Sequence, residues 1–283
     1  LNLLRSVETE GNDNKRAFSN PVLASVRVIA IAAWTAIMLG AFLTHRAFLR
    51  GRERKIKASA PWTNRWLRGI LRILGWRVHV HGPLPPPGAL LTPNHTGYAD
   101  VLSIGSAFPV HFVAKADVQS WPIVGFLFNS SDQMGVSRKR GRGVSTTVDE
   151  MTERLRVGDR ICVFLEGTST GGDRVLPFHP PLAEPAVEGG APVVPVAIKY
   201  FSKNPAIDPA EDVAYWKDHV FATHLWRLTG LRGIEAQVTY GDPVSPEGHT
   251  RKTLAQEMRQ TVMDLAGLPA ADHRGGTYEI PFD

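Results

Sequence analysis

Between Thr92 and Asp100 the chain reads Thr-Pro-Asn-His-Thr-Gly-Tyr-Ala-Asp, and the pair His95 and Asp100 within it is chemically equipped to move a proton. Imidazole accepts a proton near neutral pH, and a carboxylate within hydrogen-bond reach fixes its tautomer and stabilises the imidazolium that forms. The spacing allows that pairing. Leu90 and Leu91 end an apolar run, Pro93 stops it and a helical pattern starts at Tyr98, so a turn and a first helical turn can fold Asp100 back towards His95. The competing reading is a helix-capping Asn94 beside a histidine satisfied by its neighbours, and these residues alone do not separate the two.

A second stretch, Glu166-Gly-Thr-Ser-Thr-Gly-Gly172, follows the apolar run Ile161–Leu165. Its small residues let backbone approach a ligand, while Glu166, Thr168 and Ser169 offer hydrogen bonds to a polyol or amide headgroup. Gly167-x-Ser169-x-Gly171 is also the pattern of a hydrolase nucleophile elbow, which would make Ser169 a nucleophile. An elbow must run straight into a helix, and Gly171, Gly172, Pro177, Pro180 and Pro181 cannot supply one. The downstream Asp242 and His249 stand too close together on a turn-rich stretch to complete a triad. Lys115 ends a predicted strand, where α/β sheets bind ligands, or is a plain solvated charge. Arg138-Lys-Arg-Gly-Arg-Gly143 suits a phosphate, or is a basic loop facing a membrane. His79 and His81 share one strand face but have no third ligand near them in sequence, so no metal site is expected. Cys162, the single cysteine, sits in an apolar run and reads as a buried strand residue.

Such residues need a frame that brings strand ends together. From Arg77 onward, apolar runs at Arg77–His81, Ala89–Leu91, His111–Ala114, Ile161–Leu165, Val193–Ile198 and Ile234–Tyr240 alternate with helical patterns at Tyr98–Ala107, Val144–Arg156, Val213–Thr229 and Thr250–Ala266. This predicts an α/β fold: a single domain with a mixed, largely buried sheet flanked by helices. The aromatic pattern Val213–Thr229 suits core packing or an acyl-facing surface equally.

The 283 residues carry a formal charge of +5 and a pI near 9.5, a balance that suits nucleic acid, anionic lipid or an acidic substrate. Its placement chooses among them. Val28–Thr44 holds no charge over 17 residues, and Arg46, Arg50, Arg52, Arg54, Lys55 and Lys57 crowd its C-terminal side. At about 1.5 Å per residue the run barely approaches a bilayer core of roughly 30 Å, so it spans with little tilt or enters one leaflet. The basic flank puts the rest of the chain on the cytoplasmic face of the membrane. A buried core helix and a cleavable signal are the competing readings. Across Pro61–Gly75, Trp62, Trp66, Leu67, Ile70, Leu71, Ile73 and Leu74 fall on one side and Arg65, Arg68 and Arg72 on the other. That predicts an interfacial helix, apolar side in the acyl boundary and guanidinium groups on anionic headgroups, against an ordinary surface helix packed on the domain. Basic residues beside an apolar helix, rather than interleaved with aromatics on the globular part, argue against nucleic acid. The expected organisation is a disordered tail over 1–20, a membrane helix and basic flank over 21–60, an interfacial helix over 61–76, a catalytic domain over 77–270 and a C-terminal tail over 271–283.

Taken in order, Asn94-His95-x-x-x-x-Asp100, Arg138, Phe164-Leu-Glu166-Gly167-Thr168 and Val194-Pro-Val196 resemble the four motif blocks of the glycerolipid acyltransferase family, over roughly Arg77 to Tyr240. The resemblance implies a glycerol-3-phosphate acyltransferase-like α/β domain behind an N-terminal membrane element. It implies acyl transfer from acyl-CoA or acyl carrier protein to a lipid hydroxyl, these thioesters being co-substrates and no cofactor being needed. Carried over, His95 is the general base and Asp100 its partner. Lys115 and Arg138 contact the headgroup, while Glu166, Gly167 and Thr168 bind the acceptor, with Asn94 and Ser169 beside them. Backbone N–H groups near Gly97 or the Gly167 turn are candidates for the oxyanion. The chain departs from the pattern in three places: Gly97 stands where a serine is frequent, Asp132 where a glycine opens the second block, and Ser169 where the third block has an arginine associated with phosphate. The continuation through Arg174 resembles the lyso-ornithine lipid O-acyltransferase branch, and Arg174 can itself reach a phosphate, so lyso-ornithine lipid and lysophosphatidic acid both stand as acceptors. A Ser169 hydrolase and a non-catalytic membrane-binding protein of the same fold are the alternatives.

Overall fold

Leu90 and Leu91 are adjacent in sequence and both are inaccessible to solvent. Successive strand side chains point to opposite faces, so the sheet that contains them must be covered on both sides. Each such leucine stabilises the fold by about 1.5–3 kcal/mol through burial alone. The computed structural model describes residues 19–120, 123–136, 142–217 and 219–269. Its sheet comprises β1 (Arg77–His81), β2 (Leu90–Pro93), β3 (His111–Lys115), β4 (Met134–Val136), β5 (Ile161–Val163), β6 (Val193–Ser202) and β7 (Ile234–Tyr240), in the order β1-β7-β6-β2-β5-β3-β4. Every ladder is parallel except β6 with β7, which makes the sheet mixed.

Leu90 joins Ile161, Val193, Met151 and Met258 in a core closed by α5 (Arg142–Arg156), α6 (Glu184–Gly189) and α9 (Arg251–Ala266). Leu91 enters the opposite core with Val196 and Val238 beneath Ile104 of α3 (Tyr98–Ala107). Because β2, β5, β3 and β4 run parallel, their C-terminal ends share one edge. The turn carrying His95, the loop after β5 and Lys115 all leave from it.

The N-terminal helix α1 (Pro21–Phe48) is longer than the uncharged run. Asn20 caps it by accepting from the Leu23 N–H, and Pro21 occupies the first turn, where its missing N–H costs nothing. At 28 residues, or about 42 Å, it is long and apolar enough to cross a membrane. It is nevertheless fastened along its length to the α/β domain. Ser19 donates to Arg227 O, and the buried Arg27 donates to Thr229 O and Leu231 O, at the C-terminal end of α8 (Phe221–Gly230), where a cation is favoured. Trp34 donates to Trp66 O, and Arg46 pairs with Asp132.

Several expectations are corrected. Ser19 and Asn20 are hydrogen-bonded rather than disordered, while the rest of the expected tails lies outside the described residues. The helix expected from Pro61 begins at Arg52, forming α2 (Arg52–Leu74), because Arg and Lys are good helix formers and the basic run simply continues it. Most of its apolar side is turned to protein. Leu67, Ile70, Leu71 and Leu74 are buried in the protein, Trp62 donates to His45 and Trp66 to Thr35 of α1, and Asn64 caps the carbonyls ending α3. Arg65, Arg68 and Arg72 remain exposed. The helix expected over Val213–Thr229 is reduced to α8, and the residues from Val213 to Lys217, which follow the short α7 (Pro209–Asp212), are not helical. It cannot run through, since Tyr215 N–H is given to Thr96 O and Lys217 adopts φ +56°. The short α4 (Val124–Ser130), β4 and α6 were not foreseen, being too brief to show a period.

Candidate active site

The turn after β2 places the His95 ring so that its Nδ1 lies 2.8 Å from Asp100 Oδ2. Asp100 is fully buried, and four further donors converge on its carboxylate: Thr96 N (2.6 Å) and Gly97 N (3.1 Å) on Oδ2, and Thr96 Oγ1 (2.7 Å) and the Tyr200 hydroxyl (3.0 Å) on Oδ1. A carboxylate only accepts, so Nδ1 carries the imidazole proton and Nε2 presents its lone pair outward. Phe164 stacks on the ring at 3.9 Å, shielding one face, and the His95 side chain keeps 21% of its surface exposed. Such an imidazole can take a proton from a bound hydroxyl and return it to a leaving group.

Two motif residues expected to touch substrate instead build this turn. Asn94 is fully buried, and its amide exchanges hydrogen bonds with Ile198 N–H (2.8 Å) and C=O (3.1 Å), prolonging the pairing of β2 with β6. Glu166 is also buried and accepts from the backbone N–H groups of His95 and Leu176, each at 2.8 Å, so it holds the His95 backbone from behind. Burial pushes the Glu166 carboxyl up to about 8, against the pull of those two N–H groups. Glutamine cannot accept both N–H groups, and Glu166→Gln is expected to lose about 1–3 kcal/mol of stability in urea unfolding. The raised folded value means that the wild type loses stability as pH climbs from the unfolded value of 4.5 to about 8, so the deficit of the variant should shrink over that window.

The remaining expectations divide. Gly167 adopts φ +67° with the His179 ring where a Cβ would stand, and Thr168 is half-buried on the same loop. Of the N–H groups around Gly97 and in the Gly167 turn, Gly97 N donates to Asp100 and Gly167 N to Phe164 O. Ser169 Oγ donates to Tyr215 O at 2.5 Å, and no helix follows it before the 3-10 turn at Pro180, which removes the nucleophile elbow. Arg174 is paired with Asp173. Lys115 is exposed on the shared edge, two strands from β2, or roughly 10 Å. Arg138 lies outside the described residues. His79 pairs with Glu235 at 3.1 Å, and Cys162 is buried in β5.

Two departures from the motif pattern acquire reasons. Gly97 has φ +142°, and a Cβ there would stand 2.8 Å from Tyr215 N, so serine does not fit. Asp132 adopts φ +56°, a left-handed conformation that favours glycine, and its side chain receives Arg46. Sequence reasoning missed Tyr200, which reaches Asp100 because β6 runs four residues beyond the predicted Ile198.

A partly exposed imidazole backed by a buried carboxylate, at the common edge of parallel strands, defines an α/β enzyme domain equipped for proton transfer. The chain belongs to the acyltransferase family. The family profile matches residues 77–199. A lyso-ornithine lipid O-acyltransferase of Pseudomonas aeruginosa is 30% identical over 244 residues, spanning 85% of this chain and 91% of that one. A 1-acyl-sn-glycerol-3-phosphate acyltransferase of Neisseria meningitidis serogroup B is 27% identical over 61% of this chain and 68% of its own. The crystal structure of the 1-acyl-sn-glycerophosphate acyltransferase of Thermotoga maritima has the same fold, with a TM-score of 0.66 at 20% identity, covering 88% of this chain and 95% of that one.

Proposed function

We propose that this acyltransferase works at a membrane surface and moves a fatty acyl group from an acyl thioester, on acyl carrier protein or CoA, to the hydroxyl of a lysolipid. His95 is the general base and Asp100 its orienting partner. The observation that carries the reading is the 2.8 Å contact of His95 Nδ1 with Asp100, which leaves Nε2 as the acceptor. Nε2 takes the hydroxyl proton as the oxygen attacks the thioester carbonyl. The tetrahedral adduct collapses with cleavage of the C–S bond, and the imidazolium returns the proton to the thiolate. The relatives are named for lyso-ornithine lipid and for 1-acylglycerol 3-phosphate, which supports a lysolipid acceptor. No cofactor takes part in this chemistry.

Membrane association is supported by the outward face of α1, where Val22, Val26, Ile29 and Ile37 are exposed. Since α1 is fastened to the domain near both ends, we place that face in one leaflet, with Arg65, Arg68 and Arg72 meeting anionic headgroups on the cytoplasmic side. The test is an acyl-transfer assay of detergent-solubilised protein, offering acyl-CoA and acyl carrier protein donors against lyso-ornithine lipid and lysophosphatidic acid. Diacyl product from at least one pairing is expected; none from any of the four overturns the proposal.

A further inference from the structure

The outer face of α8 is apolar and uncharged. Ala222, Leu225 and Trp226 stand at i, i+3 and i+4 and so share one side of the helix, with Thr223 beside them and Val220 just before the first turn. All five are exposed, Val220 at 65% and Trp226 at 42%. Arg227 is the only lysine, arginine, aspartate or glutamate in α8, and it turns away to Asp212 at 3.4 Å. A helix facing water carries polar and charged groups on its outer side, and a clustered apolar face without charge marks a contact surface.

The inner face of α8 fixes where that surface sits. At its C-terminal end it is fastened to the start of α1: Ser19 donates to Arg227 O at 2.9 Å, Asn20 N to Gly230 O at 3.3 Å and Arg27 to Thr229 O at 2.9 Å, and Ser19 Oγ fills the space that a Cβ on Gly230 would need. The exposed Val22 and Val26 follow this junction within two turns of α1. Next to it Arg232 and Lys203, both exposed and the latter paired with Glu235, line a depression of about 430 Å³ with Asn20 and Gly230. Cations bordering an apolar face complement anionic headgroups. At its N-terminal end α8 is fastened to the His95 turn. The Tyr98 hydroxyl meets His224 Nδ1 at 2.7 Å, and Phe221 packs edge-on against Tyr98 and Tyr215, with ring centroids 5.3 Å and 5.8 Å apart. Tyr215 N in turn donates to Thr96 O at 2.8 Å. The outer face and the His95 turn thus lie on opposite sides of one helix, roughly 10 Å thick.

We propose that the outer face of α8 is a second membrane-contact surface, which enters the same leaflet as the outward face of α1 and holds the His95 turn at headgroup level. The inference rests on the membrane-surface reading of the function. The face offers no cation to an acidic carrier protein, whereas tryptophan and leucine flanked by cations suit the acyl boundary of a leaflet. Cys162 is the single cysteine and is fully buried, so a fluorophore on an introduced cysteine reports one position. Leu225→Cys, Ile29→Cys and Gln256→Cys, the last exposed on α9 across the sheet, are labelled and mixed with nitroxide-doped vesicles of phosphatidylcholine and phosphatidylglycerol, about four to one. Quenching is expected at the Leu225 and Ile29 positions and not at Gln256. Quenching at Ile29 alone overturns this inference and leaves the membrane reading standing, and quenching at neither overturns both. Shielding of the Leu225 label without vesicles, growing with protein concentration, assigns the face to a second copy of the chain and overturns the lipid assignment. Kinetics give a second readout. Trp226→Ser should raise KM for vesicle-borne lysolipid about tenfold and leave kcat/KM for a monomeric short-chain lysolipid unchanged; an equal loss on both overturns the proposal.

Discussion

Replacing His95 with alanine is expected to lower kcat about 10³-fold and to leave the urea-unfolding midpoint close to that of the wild type. The two halves of this expectation come from different atoms. In the proposed mechanism the ring is the general base, so its loss removes an interaction that matures in the transition state, and kcat and kcat/KM should fall together. Stability resides in the backbone of the same residue, whose N–H is held by Glu166 and whose C=O receives the Thr170 N–H at 2.9 Å, and alanine keeps both. The Asp100 carboxylate keeps four of its five donors. Steady-state assays with the acceptor varied would check the result. A rise in KM at unchanged kcat would instead make His95 a binding residue.

Local relationships were legible in the sequence and long-range ones were not. His95 and Asp100 are joined by a single turn and the first turn of α3, which residue types alone can specify, and the helix begins at the predicted Tyr98. Asn94 and Glu166 have side chains suited to a ligand, yet their partners are backbone groups. Those of Asn94 belong to Ile198, 104 residues away on a strand whose register no spacing reveals. The aromatic periodicity of Val213–Thr229 suits a helix, and it is overridden because the Tyr215 backbone groups are paired with the two site loops. Amphipathicity in α2 was read correctly as two faces, but a sequence cannot say whether an apolar face meets lipid or protein. Here α1 and the α/β domain cover it. Asn20-Pro21, a cap and a first-turn proline, marks the start of α1 ahead of the uncharged run.

Asp100→Asn is the companion experiment, because it keeps the volume of the side chain while removing its charge. Oδ2 faces three N–H donors, from His95, Thr96 and Gly97, whereas Oδ1 faces two hydroxyls, from Thr96 and Tyr200. Hydroxyls can turn to accept and N–H groups cannot, so the new amide nitrogen belongs on the Oδ1 side, with its oxygen still receiving the three N–H groups. The turn should therefore survive, with a stability loss of about 1–3 kcal/mol from the weaker, neutral hydrogen bonds. Catalysis fares worse. The imidazolium that the proposed mechanism forms loses the only carboxylate within hydrogen-bond reach of its Nδ1 among the described residues, and kcat is expected to fall by about 10²–10⁴. Tyr200→Phe, which removes one donor and keeps the carboxylate, should cost tenfold at most. Urea unfolding and single-turnover acyl transfer on the two variants separate the contributions. An Asp100→Asn protein within tenfold of wild-type kcat would show that the carboxylate shapes the turn and that its charge is not used in catalysis.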